Sequence, residues 1–268
     1  MHGYRHYAGC VGSKTLWVGK DASVYNYTCI QEAVDAAQNN DIIMIEPGIY
    51  TLTSPLSIVK PLTLIGMRYC GDFGVKITCA TAMADAVVKI EPVVCAATCE
   101  IGFENILFTT GVDNDNVIEV NNTTVAQNLK LRFVGCSIEV FDAASTGRGI
   151  SVSHADATKN IQVHVAGWGW QKLQAAYFTA KNATDSLHVY RMKCDACAQT
   201  AALESSADVI GFNFSMWYSQ FTHNKATSGG NGTQSARSFF SFTDDGAGAF
   251  AAIDGNDLIG AHTEIIVA

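Results

Sequence analysis

The stretch CIQEAVDAAQNNDIIMIEPGIYTLTSPLSIVKPLTLIG, residues 29–66, decides the fold because its apolar residues change period within a short length of chain. Its beginning has apolar residues at positions i, i+3, i+4 and i+7, the spacing of one helix face: Ile30, Ala33, Val34 and Ala37. Thr28 is the predicted N-cap, and Gln31, three residues later, completes a predicted capping box. A helix of only about two to three turns needs a surface on which to lie.

Four short apolar strands follow this helix in the same stretch. They are predicted at residues 41–45, 49–52, 56–58 and 62–66. Strands separated by so few residues cannot be joined by βαβ crossovers, which need a dozen or more residues. The chain must therefore turn sharply from each strand into the next.

Five later segments share one shape, in which a small polar residue is followed by alternating apolar residues. They are 105–108, 128–133, 160–165, 186–189 and 208–214, and their first apolar positions are 106, 129, 161, 187 and 210. The steps between these positions are 23, 32, 26 and 23 residues. A nearly constant step with one longer loop is typical of a solenoid that adds one coil per repeat. A β-propeller would need four strands and about twice this period per unit.

The order of elements in residues 29–66 resembles the opening of pectin-lyase-like β-helix proteins. The matching features are a capping helix, a strand, the Pro-Gly-x-Tyr turn at residues 47–50 and a strand that ends in Ile65-Gly66. This resemblance implies an all-β fold, a single-stranded right-handed parallel β-helix with a short N-terminal capping α-helix. It says little about activity, because pectinesterases, lyases, hydrolases, bacterial surface proteins and phage tail or capsid proteins share this opening.

The changes of pattern divide the chain into three parts. Residues 1–15 have no period and are predicted to form an N-terminal arm, followed by the capped β-helix over residues 16–225. Residues 226–268 are rich in Gly, Ala, Ser and Thr and are predicted to close the far end of the same domain or to form an interface.

Charge and hydropathy limit the classes of partner. With 17 Lys and Arg against 25 Asp and Glu the formal net charge is −8, which repels phosphate backbones and anionic lipids. No apolar run approaches the ~18 residues of a membrane span, and no apolar segment of a signal peptide follows Met1. We expect no nucleic-acid or membrane partner and synthesis in a host cytoplasm without a signal peptide.

The nine cysteines are expected to be mostly small core residues of a protein made in a reducing compartment. Two close pairs, Cys95 with Cys99 and Cys194 with Cys197, each resemble half of a zinc site. A zinc ribbon needs its two pairs separated by a short spacer, and these pairs lie far apart in the sequence. No metal or other cofactor is therefore expected.

No complete set of catalytic residues is found. Polysaccharide hydrolases of the resembling group share an adjacent pair of aspartates with a His and an Arg-x-Lys; Asp244 and Asp245 are adjacent, but neither motif follows them. We interpret them as a turn, and Asp113-Asn114-Asp115-Asn116 as a turn rather than a calcium site. His154, His164 and His188 fall in or near the repeat strands and are expected to be solvated surface residues.

Two features remain as candidate contact sites. Trp168 and Trp170, within Ala-Gly-Trp-Gly-Trp, are candidates for stacking on a glycan or for a subunit contact, although packing in a loop or the core is an equal alternative. The arm carries aromatic and basic residues predicted to dock on an acidic capsid surface: Tyr4, Arg5, His6, Tyr7 and Lys14.

Three functions remain open. The first is a structural protein of a virion, which is favoured because it requires the fewest features that the sequence lacks. Under this hypothesis the chain is a non-catalytic, homotrimeric phage capsid decoration or spike protein at the virion surface, with capsid or other virion proteins as partners. The second is a polysaccharide-degrading enzyme with a divergent site at Asp244 and Asp245. The third is a carbohydrate-binding protein that uses Trp168 and Trp170 for a surface glycan.

Overall fold

The computed structural model places the chain in one long stack of parallel strands. The described residues are 13–68, 74–79, 85–92, 98–110, 116–122, 127–140, 148–154, 158–167, 169–171, 174–180, 186–190, 193–195, 201–207, 213–217, 220–222, 238–244, 250–254, 257–259 and 265–267.

The strands form three parallel sheets. Sheet A contains β1 (Thr15–Val18), β2 (Asp41–Ile45), β5 (Leu62–Gly66), β8 (Cys99–Glu104), β11 (Leu129–Val134), β14 (Ile161–Ala166), β17 (Ser186–Tyr190), β20 (Asn213–Trp217) and β23 (Phe250–Asp254). Sheet B contains β3 (Gly48–Leu52), β6 (Val75–Cys79), β9 (Ile106–Thr110), β12 (Ser137–Val140), β15 (Gly169–Gln171), β18 (Lys193–Asp195), β21 (Gln220–Thr222) and β24 (Asp257–Ile259). Sheet C contains β4 (Leu56–Ile58), β7 (Val88–Ile90), β10 (Ile118–Asn122), β13 (Arg148–His154), β16 (Gln174–Ala180), β19 (Ala201–Ala207), β22 (Ser238–Asp244) and β25 (Ile265–Val267).

From β2 onward each coil contributes one strand to each sheet, whereas β1 adds a ninth strand to sheet A alone, and the described strand pairs are all parallel. In sheet A, for example, Leu62 pairs with Ile101, and Ile101 pairs with Leu131 of the following coil. Successive strands of one coil lie in different sheets, so the single chain winds around a common axis. The fold is therefore the predicted single-stranded, right-handed parallel β-helix.

The interior is apolar because alternate residues of each strand point inward. Strands β2, β5, β6 and β14 alternate strictly between buried and partly exposed positions. The largest buried side chains, Phe103, Phe108 and Phe133, lie together in the middle of the described core. Phe103 stacks on Phe133 with ring centroids 5.2 Å apart and meets Phe108 edge-on at 5.7 Å. The inward side of each coil is thus continuous with that of the next.

The register confirms one predicted repeat step and corrects two others. Leu129 pairs with Ile161, as the step of 32 residues required. Leu187, however, pairs with Val163 rather than Ile161, and Ile106 lies in β9 of sheet B. The strand of sheet A in that coil is β8, which ends at residue 104 where the predicted segment was just beginning. The prediction at Ile210 lies outside the described residues.

The predicted capping helix is present as α1 (Ile30–Ala36), which packs on β1, β2 and β4. Its apolar face is buried as predicted, and it covers the open end of the coil, whose unpaired backbone would otherwise be exposed. The predicted capping box is wrong: the N-cap is Cys29, and no side chain caps the helix. Gln31 instead accepts a hydrogen bond from the backbone N–H of Ser57 at 2.8 Å and donates one to the Ser57 carbonyl at 3.2 Å. Its side chain therefore bonds to β4 and does not cap the helix.

The corners between sheets A and B repeat a left-handed conformation. Asn105, Gly135 and Gly167 have φ values of 56°, 59° and 64°. The backbone N–H of each donates to the carbonyl of a residue one coil later, as Gly135 does to Ala166 at 2.7 Å. Asn and Gly tolerate positive φ better than other residues, which explains their place at these corners.

The sheets extend almost from one end of the chain to the other. β1 begins at Thr15, one residue before the predicted start of the β-helix, and β22 to β25 continue the ladders within residues 226–268. An interface role for that last segment stays a prediction. Among the described residues, no helix is long and apolar enough to span a membrane.

Candidate functional site

The outer face of sheet A carries charged and titratable side chains on four consecutive strands. We name six outward-facing residues of four consecutive strands the polar ladder: Glu100 and Glu104 of β8, Lys130 and Arg132 of β11, His164 of β14 and His188 of β17. They share one face because the strands pair in register: Glu100 lies opposite Lys130, Arg132 opposite His164, and His164 opposite His188.

Both cations of the polar ladder are ion-paired across the strands. Lys130 Nζ lies 3.6 Å from Glu100 Oε1, with both side chains well exposed. Arg132 Nη2 donates to Glu104 Oε1, and this pair is less exposed to solvent. Exposed ion pairs contribute about 0–1 kcal/mol each, so these pairs fix the charge pattern of the face more than they stabilise the fold.

The two histidines of the polar ladder lie against each other. Their ring centroids are 4.9 Å apart with the planes tilted by 37°, and both residues are half-buried. Desolvation lowers the pKa of both imidazoles, and the neighbouring His188 and Lys130 lower the pKa of His164 further. Both rings are therefore neutral at pH 7. His164 and His188 face outward as expected, but they are half-buried and tilted against each other rather than solvated.

The polar ladder does not have the geometry of a glycoside hydrolase site. Such enzymes place two carboxyl groups about 5–9.5 Å apart across the scissile bond. Glu100 and Glu104 are four residues apart on one strand, which separates their Cα atoms by about 13 Å. Each carboxylate is also bound to its own cation. These two acids are therefore committed to cross-strand pairing.

A second feature of sheet A is an apolar strip at the capped end, which we define as Trp17, Met44 and Ile65. The three residues occupy one outward row of β1, β2 and β5, because Trp17 pairs with Met44 and Met44 with Ile65. Trp17 is 43% exposed, and the other two are partly exposed. Glu104 continues the row, so the apolar strip borders the polar ladder directly.

The turn between β2 and β3 holds another group of polar side chains, and its contacts are structural. Glu46 Oε2 accepts the backbone N–H of Lys20 at 3.1 Å, and the Tyr50 hydroxyl donates to the Glu46 carbonyl at 2.9 Å. Burial raises the pKa of Tyr50 to about 12, and Lys20 Nζ lies 4.1 Å from the centre of its ring. This network ties the loop after β1 to the next coil.

Of the predicted contact residues, only Trp170 and Lys14 fall in the described part of the chain. Trp170 belongs to β15, and its backbone pairs with Ile138 and Cys194. Trp168 lies outside the described residues, and the contact role of both tryptophans stays a prediction.

Lys14 is exposed and directly precedes β1. Its backbone N–H donates to Asp41 Oδ1 at 2.7 Å, and its carbonyl accepts the N–H of Ile42 at 2.9 Å. Lys14 thus fixes the point where the predicted arm leaves the β-helix. The other four arm residues, Tyr4, Arg5, His6 and Tyr7, lie outside the described residues, and their docking role stays a prediction.

Several of the remaining candidate site residues lie outside the described part of the chain. Asp244 ends β22, while Asp245 and the segment 113–115 lie outside the described residues. Of the described cysteines, Cys79, Cys99 and Cys136 are buried in the core, as expected, whereas Cys29 is exposed. Within the described ranges, no group of three or more His, Cys, Asp or Glu residues is arranged to hold a metal ion.

Comparison with solved structures supports the architecture. A pectin methylesterase from Aspergillus niger superposes with a TM-score of 0.51 at 15% identity, over 95% of this chain and 89% of that one. The chain has the pectin-lyase-like β-helix fold. At this identity the likeness extends to the fold alone.

The other comparisons do not extend this result. A protein described as ORF18 of Geobacillus virus E2 aligns at 14% identity over 86% of this chain and 58% of that one, with a TM-score of only 0.31. No family model and no curated protein sequence matches the chain.

Sequence reasoning missed the polar ladder because it assigned the wrong strand to one coil. The predicted repeat contains the segment 105–108, and with that register residues 99–104 are not aligned with β11. The available signal was the alternation in Cys99-Glu100-Ile101-Gly102-Phe103-Glu104, which matches Leu129-Lys130-Leu131-Arg132-Phe133-Val134 position by position. Opposite charges at Glu100 and Lys130 would have supported that register.

Proposed function

We propose that this chain is a non-catalytic structural protein of a virus particle, a homotrimeric phage capsid decoration or spike protein. The observation that carries the proposal is the apolar strip on the capped end of the β-helix. Trp17, Met44 and Ile65 form a continuous apolar row on the outer face of sheet A, which is typical of a surface that another protein covers. The occupant that we assign to the strip is a neighbouring copy of this chain.

The surroundings of the apolar strip support a protein contact rather than chemistry. Lys14, from which the basic and aromatic arm extends, is anchored to Asp41 beside the strip. On its other side, Glu104 is held by Arg132. An apolar centre with charged residues at its edge is the usual arrangement of a protein–protein interface.

The interior favours a structural role as well. The core runs without interruption from the capping helix to Leu187 within the described residues. Continuous burial at ~25 cal/mol per Å² of apolar surface gives the stability that an extracellular particle needs.

The first test is the native mass of the purified protein, measured by size-exclusion chromatography with light scattering. We expect three times the chain mass of 28.7 kDa, independent of dilution over the micromolar range. Met44→Glu places a charge in the apolar strip and is expected to give monomers. Ile49→Glu is the matched control, because Ile49 is 60% exposed on sheet B and should leave the trimer intact.

The outcomes separate the alternatives. A stable monomer of the unaltered protein removes the main support for the structural role. A trimer that survives Met44→Glu but not Ile49→Glu would move the interface to sheet B and refute the assignment of the strip. Release of products from a panel of polysaccharides, abolished by Asp244→Ala with Asp245→Ala, would establish the enzymatic alternative. Glycan binding abolished by Trp168→Ala with Trp170→Ala would establish the carbohydrate-binding alternative.

A further inference from the structure

The pair His164 and His188 is the part of the polar ladder that the proposed function leaves unused. The two residues are directly opposite each other on β14 and β17, so their side chains leave the sheet side by side. Their ring centroids are 4.9 Å apart, and the tilt of 37° brings the rings closer at one edge than at the other. Two neutral imidazoles on one rigid face are a ready source of nitrogen ligands.

The two cations beside the pair are each held in an ion pair. Arg132 lies opposite His164 in the register, but its guanidinium is paired with Glu104. Lys130 is on the same strand as Arg132 and is paired with Glu100. On the other flank, the backbone of Ser215 in β20 pairs with that of His188. Because both cations are already paired with carboxylates, they repel an incoming metal ion less than two unpaired cations would.

The protonation state also favours ligation. Metal ions bind the neutral imidazole, so protons compete with them wherever a histidine is charged. Desolvation lowers the pKa of both His164 and His188, which keeps the rings neutral at pH 7. A metal ion at this place therefore displaces few protons.

We propose that His164 and His188 together bind one divalent first-row transition-metal ion, such as Zn²⁺ or Ni²⁺, through one ring nitrogen each. Imidazole is a preferred ligand of these ions, with metal–nitrogen distances of about 2.0–2.1 Å. Two such bonds at tetrahedral or octahedral angles require ring nitrogens about 3 Å apart. Half-buried rings with centroids at 4.9 Å reach this separation by rotating about their side-chain bonds.

The bound ion would join two coils of the β-helix. His164 and His188 are paired across neighbouring strands but are separated by a whole coil of the chain. An ion held by both residues therefore links β14 to β17 outside the core, where the described face otherwise has cross-strand ion pairs. Because the ion binds the folded chain through both residues at once, it stabilises that state.

The test uses the full chain and Ni²⁺, which thiols compete for less strongly than they do for Zn²⁺. Isothermal titration is carried out on the unaltered protein, His164→Ala, His188→Ala and the double variant. We expect each single change to weaken this site at least about tenfold and to resemble the double change, because one remaining imidazole cannot chelate. Gln162→Ala, on β14 and the same face as His164, is the matched control and should bind as the unaltered protein does.

Thermal unfolding gives a second readout. Ni²⁺ should raise the midpoint of the unaltered protein and of Gln162→Ala, and should not do so for either histidine variant. Midpoints without metal establish that each variant is folded, and His188→Asn serves as a second variant of more similar shape.

Three results would overturn the proposal. Nickel binding unchanged in the double variant would show that the ion binds elsewhere in the chain, for example at the other histidines: His2, His6, His154, His223 and His262. If the losses of nickel affinity in the two single variants simply add up in the double variant, the two histidines bind at independent sites and do not share one ion. An absence of nickel and zinc binding by the folded protein at millimolar concentration would exclude the site altogether.

Discussion

The aromatic stack inside the β-helix leads to our most quantitative prediction. Phe133 is fully buried, occupies the inward row of sheet A between Phe103 and Val165, and stacks on Phe103 with the ring planes only 7° apart. Phe133→Ala removes this ring and opens a cavity that neighbouring coils cannot fill, because each coil is held in register by the ladders on both sides.

The expected cost follows from burial and stacking. A Phe→Ala change at a buried position loses the burial of the ring and leaves a cavity, which together cost about 3–5 kcal/mol. An aromatic pair contributes about 0.5–1.5 kcal/mol beyond its buried area. We expect Phe133→Ala to lower the free energy of unfolding by about 4 kcal/mol. Phe133→Leu keeps most of the apolar volume but loses the stack, and should cost about 1–2 kcal/mol. Val24→Ala, at a residue 67% exposed, should change it by no more than about 0.5 kcal/mol.

Guanidinium unfolding followed by circular dichroism measures these differences, and hydrogen exchange with mass spectrometry locates them. In a solenoid each coil contacts only its neighbours, so the loss of protection should be greatest in β8, β11 and β14 and smallest near α1. A cost below about 1 kcal/mol for Phe133→Ala would contradict the packing argument. A uniform loss of protection along the chain would contradict the local coupling of the coils.

Three further predictions concern the capped end, the corners and the thiols. Asp41→Ala should cost about 2 kcal/mol and expose β1 to hydrogen exchange, because the buried Asp41 carboxylate accepts the backbone N–H groups of Lys14 and Gln38, each at 2.7 Å. Gly135→Ala should lower the free energy of unfolding by about 1–2 kcal/mol, seen as a lower thermal midpoint, since φ is 59° there and a methyl group would lie 2.7 Å from Arg68 Nη2. Iodoacetamide should modify the exposed Cys29 of the native protein, as measured by peptide mapping. Cys136, whose pKa burial raises to about 12, should react only after unfolding.

These predictions have clear contrary outcomes. An Asp41→Ala protein with unchanged exchange in β1 would show that the strand is held by its pairing with β2 alone. A Gly135→Ala protein of unchanged stability would mean that the corner relaxes without cost. Rapid alkylation of Cys136 in the native state would mean that the coil opens far more readily than its packing implies.

Several elements could be predicted from local pattern. The helix face containing Ile30 and Val34, and the strands at residues 41–45 and 62–66, were predicted where the structure has them, because their apolar periods differ and require only neighbouring residues. The capping box failed for the opposite reason. Gln31 has a suitable spacing for it, yet its side chain bonds to Ser57, and a residue from another element cannot be detected by local spacing.

The candidate site depended on register, which the sequence did not determine. The register pairs Asp41 with Leu62 after 21 residues but Leu62 with Ile101 after 39, so a constant period could not align the coils. Loop lengths vary in a solenoid because a turn tolerates insertions that the stacked strands do not.

The sequence by itself determined that this chain alternates short apolar strands with tight corners, and that an amphipathic helix precedes them. Period and turn chemistry are properties of adjacent residues, so they are present in the unfolded chain. Only the tertiary structure decided that Glu104 meets Arg132, that His164 faces His188, and that Trp17 aligns with Met44. Those meetings join residues about 24–28 positions apart, and they exist only after each coil has been hydrogen-bonded to the next.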